Sequence, residues 1–144
     1  MPKETVAVAS DHAGLDLKET LKQELVALGH PVLDLGTNGP ESVDYHDFGK
    51  KLGEAVAAGK AAKGVAVCGS GIGISIAANK VKGVRAALVH DSTGARLSRQ
   101  HNDANVIAFG ARTTGVEEAK DALKVFLATG FEGGRHTRRV EKLG

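Results

Sequence analysis

The chain has no tryptophan, one tyrosine and four phenylalanines, so its core must be aliphatic, built on Val, Ala, Leu and Ile. Aromatics at 3% and a formal charge of +2, from 19 Lys and Arg against 17 Asp and Glu, give little support to a nucleic-acid role. A single cysteine excludes an intramolecular disulfide and any cysteine-cluster metal site. The start, Met1-Pro2-Lys3-Glu4, carries no apolar signal region, and no apolar run approaches the ~18 residues of a membrane span. These absences point to a cytoplasmic protein with no membrane partner.

What is present fits one domain over residues 1–144, with a hydrophobic content of 42% and a charged content of 25%. The 19 glycines cluster after apolar runs, as turns at strand ends do. Val6 to Ser10, Val32 to Gly36, Gly64 to Cys68, Val84 to Val89 and Asn105 to Gly110 read as five short buried strands. Between them, Leu17, Leu21, Leu25 and Leu28 recur at helical spacing, with Gly29 as C-terminal cap and Pro31 forbidding continuation. Leu52 and Val56 mark a second helix, and Ile74 to Lys80 a third of small residues. Asp91 is placed to cap a fourth running to about Gln100, and Thr114 with Glu117 forms a capping-box pattern for a fifth to about Thr129. Alternating strands and helices imply an α/β fold: a Rossmann-like doubly wound five-stranded parallel sheet, in the order 2-1-3-4-5, with a C-terminal helical tail.

In such a sheet ligands bind outside the C-terminal strand ends, where neighbouring connections leave on opposite faces. That crevice would unite Asp11 and His12 after strand 1 with Cys68 after strand 3. By residue type alone, Cys68 reads as a small apolar strand residue. Gly69, Gly71 and Gly73 add a close turn into a helix N-terminus, whose N–H groups favour an anion. A thiolate and oxyanion donors on one loop would suit removal of a carbon-bound proton. The loop is neither a Walker A motif nor a dinucleotide fingerprint. Asp11 reads equally as a turn cap. His101, with Asn102 beside it, is expected at a helix end on the sheet's C-terminal side, as an acid–base group or a partner of helix carbonyls. Arg112 follows strand 5. Arg135 and Arg139 share a face if the tail is helical, and read as a phosphate clamp or as surface charge. His30, His46 and His90 show no metal-ligand spacing with Cys68 and the aspartates, so no metal is expected.

Taken together, Ser10-Asp11-His12-Ala13-Gly14, Asp44-Tyr45, the run from Cys68 to Lys80, the run from Leu97 to Val106, Phe109-Gly110-Ala111-Arg112 and Phe131-Glu132-Gly133-Gly134-Arg135-His136 resemble type B ribose-5-phosphate isomerases, within the wider group that includes galactose-6-phosphate isomerase. The resemblance runs nearly end to end. It implies aldose–ketose isomerisation of a sugar phosphate through a cis-enediolate, without cofactor or metal. It implies Cys68 as the base, with Ser70 and the N–H groups of Gly69, Gly71, Ile72 and Gly73 stabilising the enediolate. It implies His101 as the ring-opening acid–base, Asp11 and Asn102 as hydroxyl contacts, Tyr45 as a wall of the sugar site, and His12, Arg112, Arg135 and Arg139 as phosphate ligands. It also implies a homodimer or a dimer of dimers with the site at the subunit interface. One branch of the family carries a glutamate later in the loop as base and lacks the cysteine; here that position is Ser75. The alternatives are an isomerase of allose 6-phosphate, galactose 6-phosphate or a tetrose phosphate, or a non-catalytic sugar-phosphate sensor.

Overall fold

The computed structural model describes residues 3–144. Met1 and Pro2, part of the charged start that argues against a signal region, lie outside them. In chain order the elements are β1 (Val6–Ser10), α1 (Leu15–Ala27), β2 (Val32–Asp34), α2 (Tyr45–Ala57), β3 (Lys63–Cys68), α3 (Ile72–Asn79), β4 (Ala86–Leu88), α4 (Ser92–Asn102), β5 (Val106–Gly110), α5 (Val116–Ala128) and α6 (Arg135–Leu143). No described helix is long and apolar enough to cross a membrane.

The strands form one parallel sheet in the order β2-β1-β3-β5-β4. The doubly wound α/β class is as the sequence implies; the expected order 2-1-3-4-5 is corrected at its last two strands. The reason is burial. β5 is buried along all five residues and pairs with β3 on one side and β4 on the other. Only Ala86–Leu88 of the fourth apolar run pairs, and these three residues are half-buried, as suits an edge. With right-handed crossovers, the connection from β3 to β4 passes over β5, and the next returns the other way. α4 therefore lies on the face opposite α3, packed on α5 and α6, while α3 packs on α2.

Strand alternation divides the core. Val6, Val8, Val65, Val67, Ile107 and Phe109 face Leu17, Leu21, Leu25, Leu123 and Phe126. Ala7, Ala9, Ala66, Cys68 and Ala108 face Leu52, Val56, Ile74 and Ala78. The second face is lined by small residues, and α2 and α3 approach closely there. A Cβ on Gly49 would sit 2.8 Å from both the Ala77 Cβ and the Ile74 carbonyl oxygen.

The ends of α1 and α4 follow the sequence. Gly29 (φ +91°) closes α1: its N–H donates to Val26 O, and that of His30 donates to Leu25 O, each at 3.0 Å. Asp91 caps α4, accepting from the Gly94 N–H at 2.7 Å. The capping box on α5 does not form. Thr114 is buried with its hydroxyl 3.3 Å from His90 Nδ1, and Gly115 takes the cap position.

One buried charge ties α1 to β2. Lys18 is fully buried, and its ammonium donates to Asp34 Oδ1 and Oδ2 at 2.9 and 3.1 Å, to Glu19 Oε1 at 3.1 Å and to Asn38 Oδ1 at 3.3 Å. Burial alone would raise the Asp34 carboxyl, but hydrogen bonds from Lys18, Lys22 and the Gly36 N–H outweigh it and hold the group below its ordinary value. Asp34→Asn strands much of the Lys18 charge and should cost about 3 kcal/mol in urea unfolding at neutral pH. The contribution of a depressed carboxyl is present above its unfolded pKa of about 3.9 and is lost as pH falls through the lower folded value. The stability gap between wild type and variant should therefore close in acid; a gap that stays constant to pH 2 contradicts this assignment.

Candidate active site

The turns after β1, β3 and β5 meet at the C-terminal edge of the sheet. They are held in register by Ser10 opposite Val67 and Cys68 opposite Gly110. An open cleft of about 580 Å³ lies there, lined by Asp11, His12, Tyr45, Cys68, Ile72 and Arg112 among others. Thr113 and Ile76 also line it; the sequence reading passed over both, since neither type signals a site.

Cys68 ends β3 and is 4% exposed at the cleft floor. The Gly71 N–H donates to its sulfur at 3.2 Å, a contact that strengthens when the sulfur is a thiolate. That orientation depends on Gly71 at φ +78°, where a Cβ would lie 2.5 Å from Leu88 Cδ1 and 2.7 Å from the Phe109 carbonyl carbon. Ser70 Oγ accepts from the Ile72 N–H at 3.2 Å, opening α3. Ser75, at the position of the alternative glutamate base, is buried and donates to Ile72 O at 2.8 Å. The Tyr45 ring covers the start of α3: a Cβ on Gly73 would be 2.5 Å from its Cε1.

The flanking charges are set by backbone contacts. The Arg112 N–H donates to Gly69 O at 2.9 Å, and the guanidinium lies over Gly69, its Cζ 3.6 Å from where a Cβ would stand. Asp11 is buried and accepts from the Gly14 N–H at 3.0 Å, so the capping reading holds while the residue also lines the cleft. The Val43 N–H donates to His12 Nδ1 at 3.1 Å. A backbone N–H can only donate, so Nδ1 is unprotonated and the ring proton sits on Nε2, free to donate to an oxyanion.

Five expected residues do not line this cleft: Gly71 is buried behind the Cys68 sulfur, and the other four lie elsewhere. Parallel strands force each following helix to run back, so α4 ends at the N-terminal edge of the sheet; the expectation of His101 and Asn102 on the C-terminal side is corrected. Asn102 lines a separate cavity with Val84, Arg85 and Ala86, and the Arg85 side chain donates to Asp103 O at 2.9 Å. The tail is helical, so Arg135 and Arg139 share a face, but α6 docks on α4: the Glu132 N–H donates to Gln100 O at 3.1 Å. Five strand residues at ~3.3 Å each put the two edges roughly 16 Å apart. Within one chain, His101, Asn102, Arg135 and Arg139 do not meet Cys68.

At that second edge the His101 and His136 rings stack, with centroids 4.4 Å apart and planes 16° apart. Glu132 Oε1 lies 3.7 Å from His101 Nε2 and 3.6 Å from His136 Nε2. Burial, then the charges of His101 and Arg135, hold the His136 imidazole below its ordinary value. The sequence spacing of the histidines suggested no such cluster; the docking of α6 on α4 assembles it.

A family model described as Ribose/Galactose Isomerase matches residues 6–143. Ribose-5-phosphate isomerase B of Escherichia coli (strain K12) is 45% identical over 138 residues, covering 96% of this chain and 93% of that protein. D-erythrulose-4-phosphate isomerase of Pectobacterium atrosepticum is 41% identical over 141 residues, covering 97% and 93%. The solved structure of ribose-5-phosphate isomerase B from Clostridium thermocellum superposes with a TM-score of 0.96 at 49% identity, covering 97% of this chain and 95% of that one.

The loop geometry separates its glycines. Gly71→Ala should cost about 2–4 kcal/mol, from the left-handed backbone and the filled contact. Gly69→Ala, whose Cβ meets nothing closer than 3.6 Å, should cost about 1 kcal/mol or less. Equal thermal or urea stabilities for the two variants would contradict the packing described.

Proposed function

The chain belongs to the ribose/galactose isomerase family, and on that basis we propose that it interconverts ribose 5-phosphate and ribulose 5-phosphate with Cys68 as the base. The observation that carries the reading is Cys68 at the cleft floor, its sulfur accepting the Gly71 N–H and flanked by His12 and Arg112. The Cys68 thiolate takes the C2 proton of the open-chain aldose as the C1 carbonyl becomes the enediolate oxygen. The thiol returns that proton to C1; O2 loses its proton as it becomes the ketone oxygen, and O1 gains one. The Gly71 N–H holds the Cys68 sulfur and the Ile72 N–H the Ser70 hydroxyl, so meeting the charge that develops falls to the other loop N–H groups and the Ser70 hydroxyl. One such donor is typically worth ~3–4 kcal/mol. The transfer needs one mobile base and no metal. A phosphorylated sugar is held in the cytoplasm by its charge, and that is the location proposed.

His101, Asn102, Arg135 and Arg139 enter the reading through a homodimer, alone or paired into a tetramer. The N-terminal edge of one copy would close the cleft of the other, bringing a ring-opening imidazole, a hydroxyl contact and two guanidinium groups for the phosphate. The exposed apolar side chains of Tyr45, Ile72 and Ile76 at the cleft, 48%, 53% and 54% accessible, support such a cover.

Ketose formation from ribose 5-phosphate by the purified protein in chelator tests the substrate, with allose 6-phosphate and a tetrose phosphate in parallel. Conversion of only another sugar keeps the chemistry and changes the substrate; no conversion of any supports a sensor. Cys68→Ala should reduce turnover by at least a thousandfold while sugar-phosphate binding stays measurable by calorimetry, and near-normal turnover contradicts the base assignment. Co-expressed Cys68→Ala and His101→Ala chains should recover about a quarter of wild-type activity: random pairing makes half the dimers mixed, and each mixed dimer has one intact site of two. No recovery above the parent variants contradicts the shared site.

A further inference from the structure

The cluster at the second edge has the composition of a transition-metal site. One ring nitrogen each of His101 and His136 and a Glu132 carboxylate oxygen all lie within 4.8 Å of one another. Two imidazoles and one carboxylate suit Zn²⁺ and its neighbours in the first-row series rather than Mg²⁺ or Ca²⁺. A second observation points to a ligand. His136 is 7% exposed, and its Nε2 is buried with no hydrogen-bond partner among the described residues, although it faces Glu132. A buried ring nitrogen left unpaired costs free energy that a metal bond or a proton would recover.

The geometry is close to what coordination needs. Ligand atoms of a tetrahedral zinc site stand roughly 3.4 Å apart, given bonds of ~2.0–2.1 Å. The two Nε2–Oε1 distances are 3.6 and 3.7 Å, but the rings stack with planes 16° apart, so the exposed His101 ring must turn out of the stack for both nitrogens to face one ion. In the single chain the His101 and Glu132 side chains are 38% and 50% exposed, and in the proposed dimer that space is part of the shared site, with room for water to complete the shell. Arg135 and Arg139 place positive charge near His136 and oppose any cation. Affinity must therefore come from the directed ligand bonds and fall below that of a closed structural site.

We propose that His101, Glu132 and His136 form a reversible binding site for a divalent first-row cation such as Zn²⁺, and that its occupation inhibits the enzyme. The inhibitory half rests on the functional reading above: a metal on His101 removes the imidazole assigned to ring opening.

The test titrates metal-stripped protein with Co²⁺, followed by its visible d–d bands, and with Zn²⁺ by calorimetry, in the absence of substrate. The expected result is one ion per chain, with dissociation constants raised at least tenfold by Glu132→Gln and by His136→Asn and unchanged in Cys68→Ala. Glu132 is exposed, so its variant reads out the site even if the His136 variant does not fold. No uptake, binding unaffected by Glu132→Gln, or a thiolate charge-transfer band that disappears in Cys68→Ala would overturn the site. Zn²⁺ should inhibit sugar-phosphate isomerisation with a constant matching its dissociation constant; binding without inhibition overturns the regulatory half. Because the cobalt spectrum needs no substrate, failure of the proposed isomerase activity would leave the metal-site result readable.

Discussion

All five strands run in one direction, and the placement of every candidate functional group depends on that polarity. Each strand delivers its last residue to one edge, and each following helix carries the chain back to the other. Asp11, Cys68 and Arg112 follow strands and therefore share a cleft. His101 ends α4, and the residues around Arg135 dock beside it, so they share the opposite edge. A site needing both groups must be built from two chains, and the proposed dimer follows from strand polarity rather than from any special interface motif.

The Cys68 loop rests on an asymmetry of size between the two faces of the sheet. On the α1, α4 and α5 side, Val, Ile and Phe hold the helices off the strands. On the α2 and α3 side, Ala7, Ala9, Ala66 and Ala108 let the helices settle close, with Gly49 permitting the contact between them. That approach carries Tyr45, the first residue of α2, over Gly73 at the start of α3. The loop between β3 and α3 is then confined by Leu88, Phe109 and Tyr45, which fixes its backbone so that the Gly71 N–H meets the Cys68 sulfur. Glycine is required at Gly71 and Gly73 by these neighbours, more than by a general need for flexibility.

Much of this was legible in the residues. The continuous apolar runs of β1, β3 and β5 marked strands because both their faces are buried, and the leucines of α1 marked a helix because they bury one face. Gly29 and Asp91 marked helix ends because their local chemistry satisfies backbone groups regardless of what packs nearby. Thr114 and Glu117 carried an equally good local signal that lost: burial of Thr114 beside His90 removed its hydroxyl from the helix end. The order of β4 and β5 was not legible, because both are short apolar runs and only competition for the double-sided interior separates them. Nor was the Lys18–Asp34 pair, since a lysine on an amphipathic helix is ordinarily solvated.

By itself the sequence determined the fold class, the family resemblance, and which candidate groups gather on strand-following turns, because those turns are short and the groups they carry are fixed by local backbone geometry. Tertiary structure alone decided which strand lies inside the sheet, the separation of His101, Asn102, Arg135 and Arg139 from Cys68, and the meeting of His101 with Glu132 and His136. These depend on contacts between segments about twenty residues or more apart in the chain. Such contacts are settled by which surfaces pack best against one another, and no local pattern of residues records that outcome.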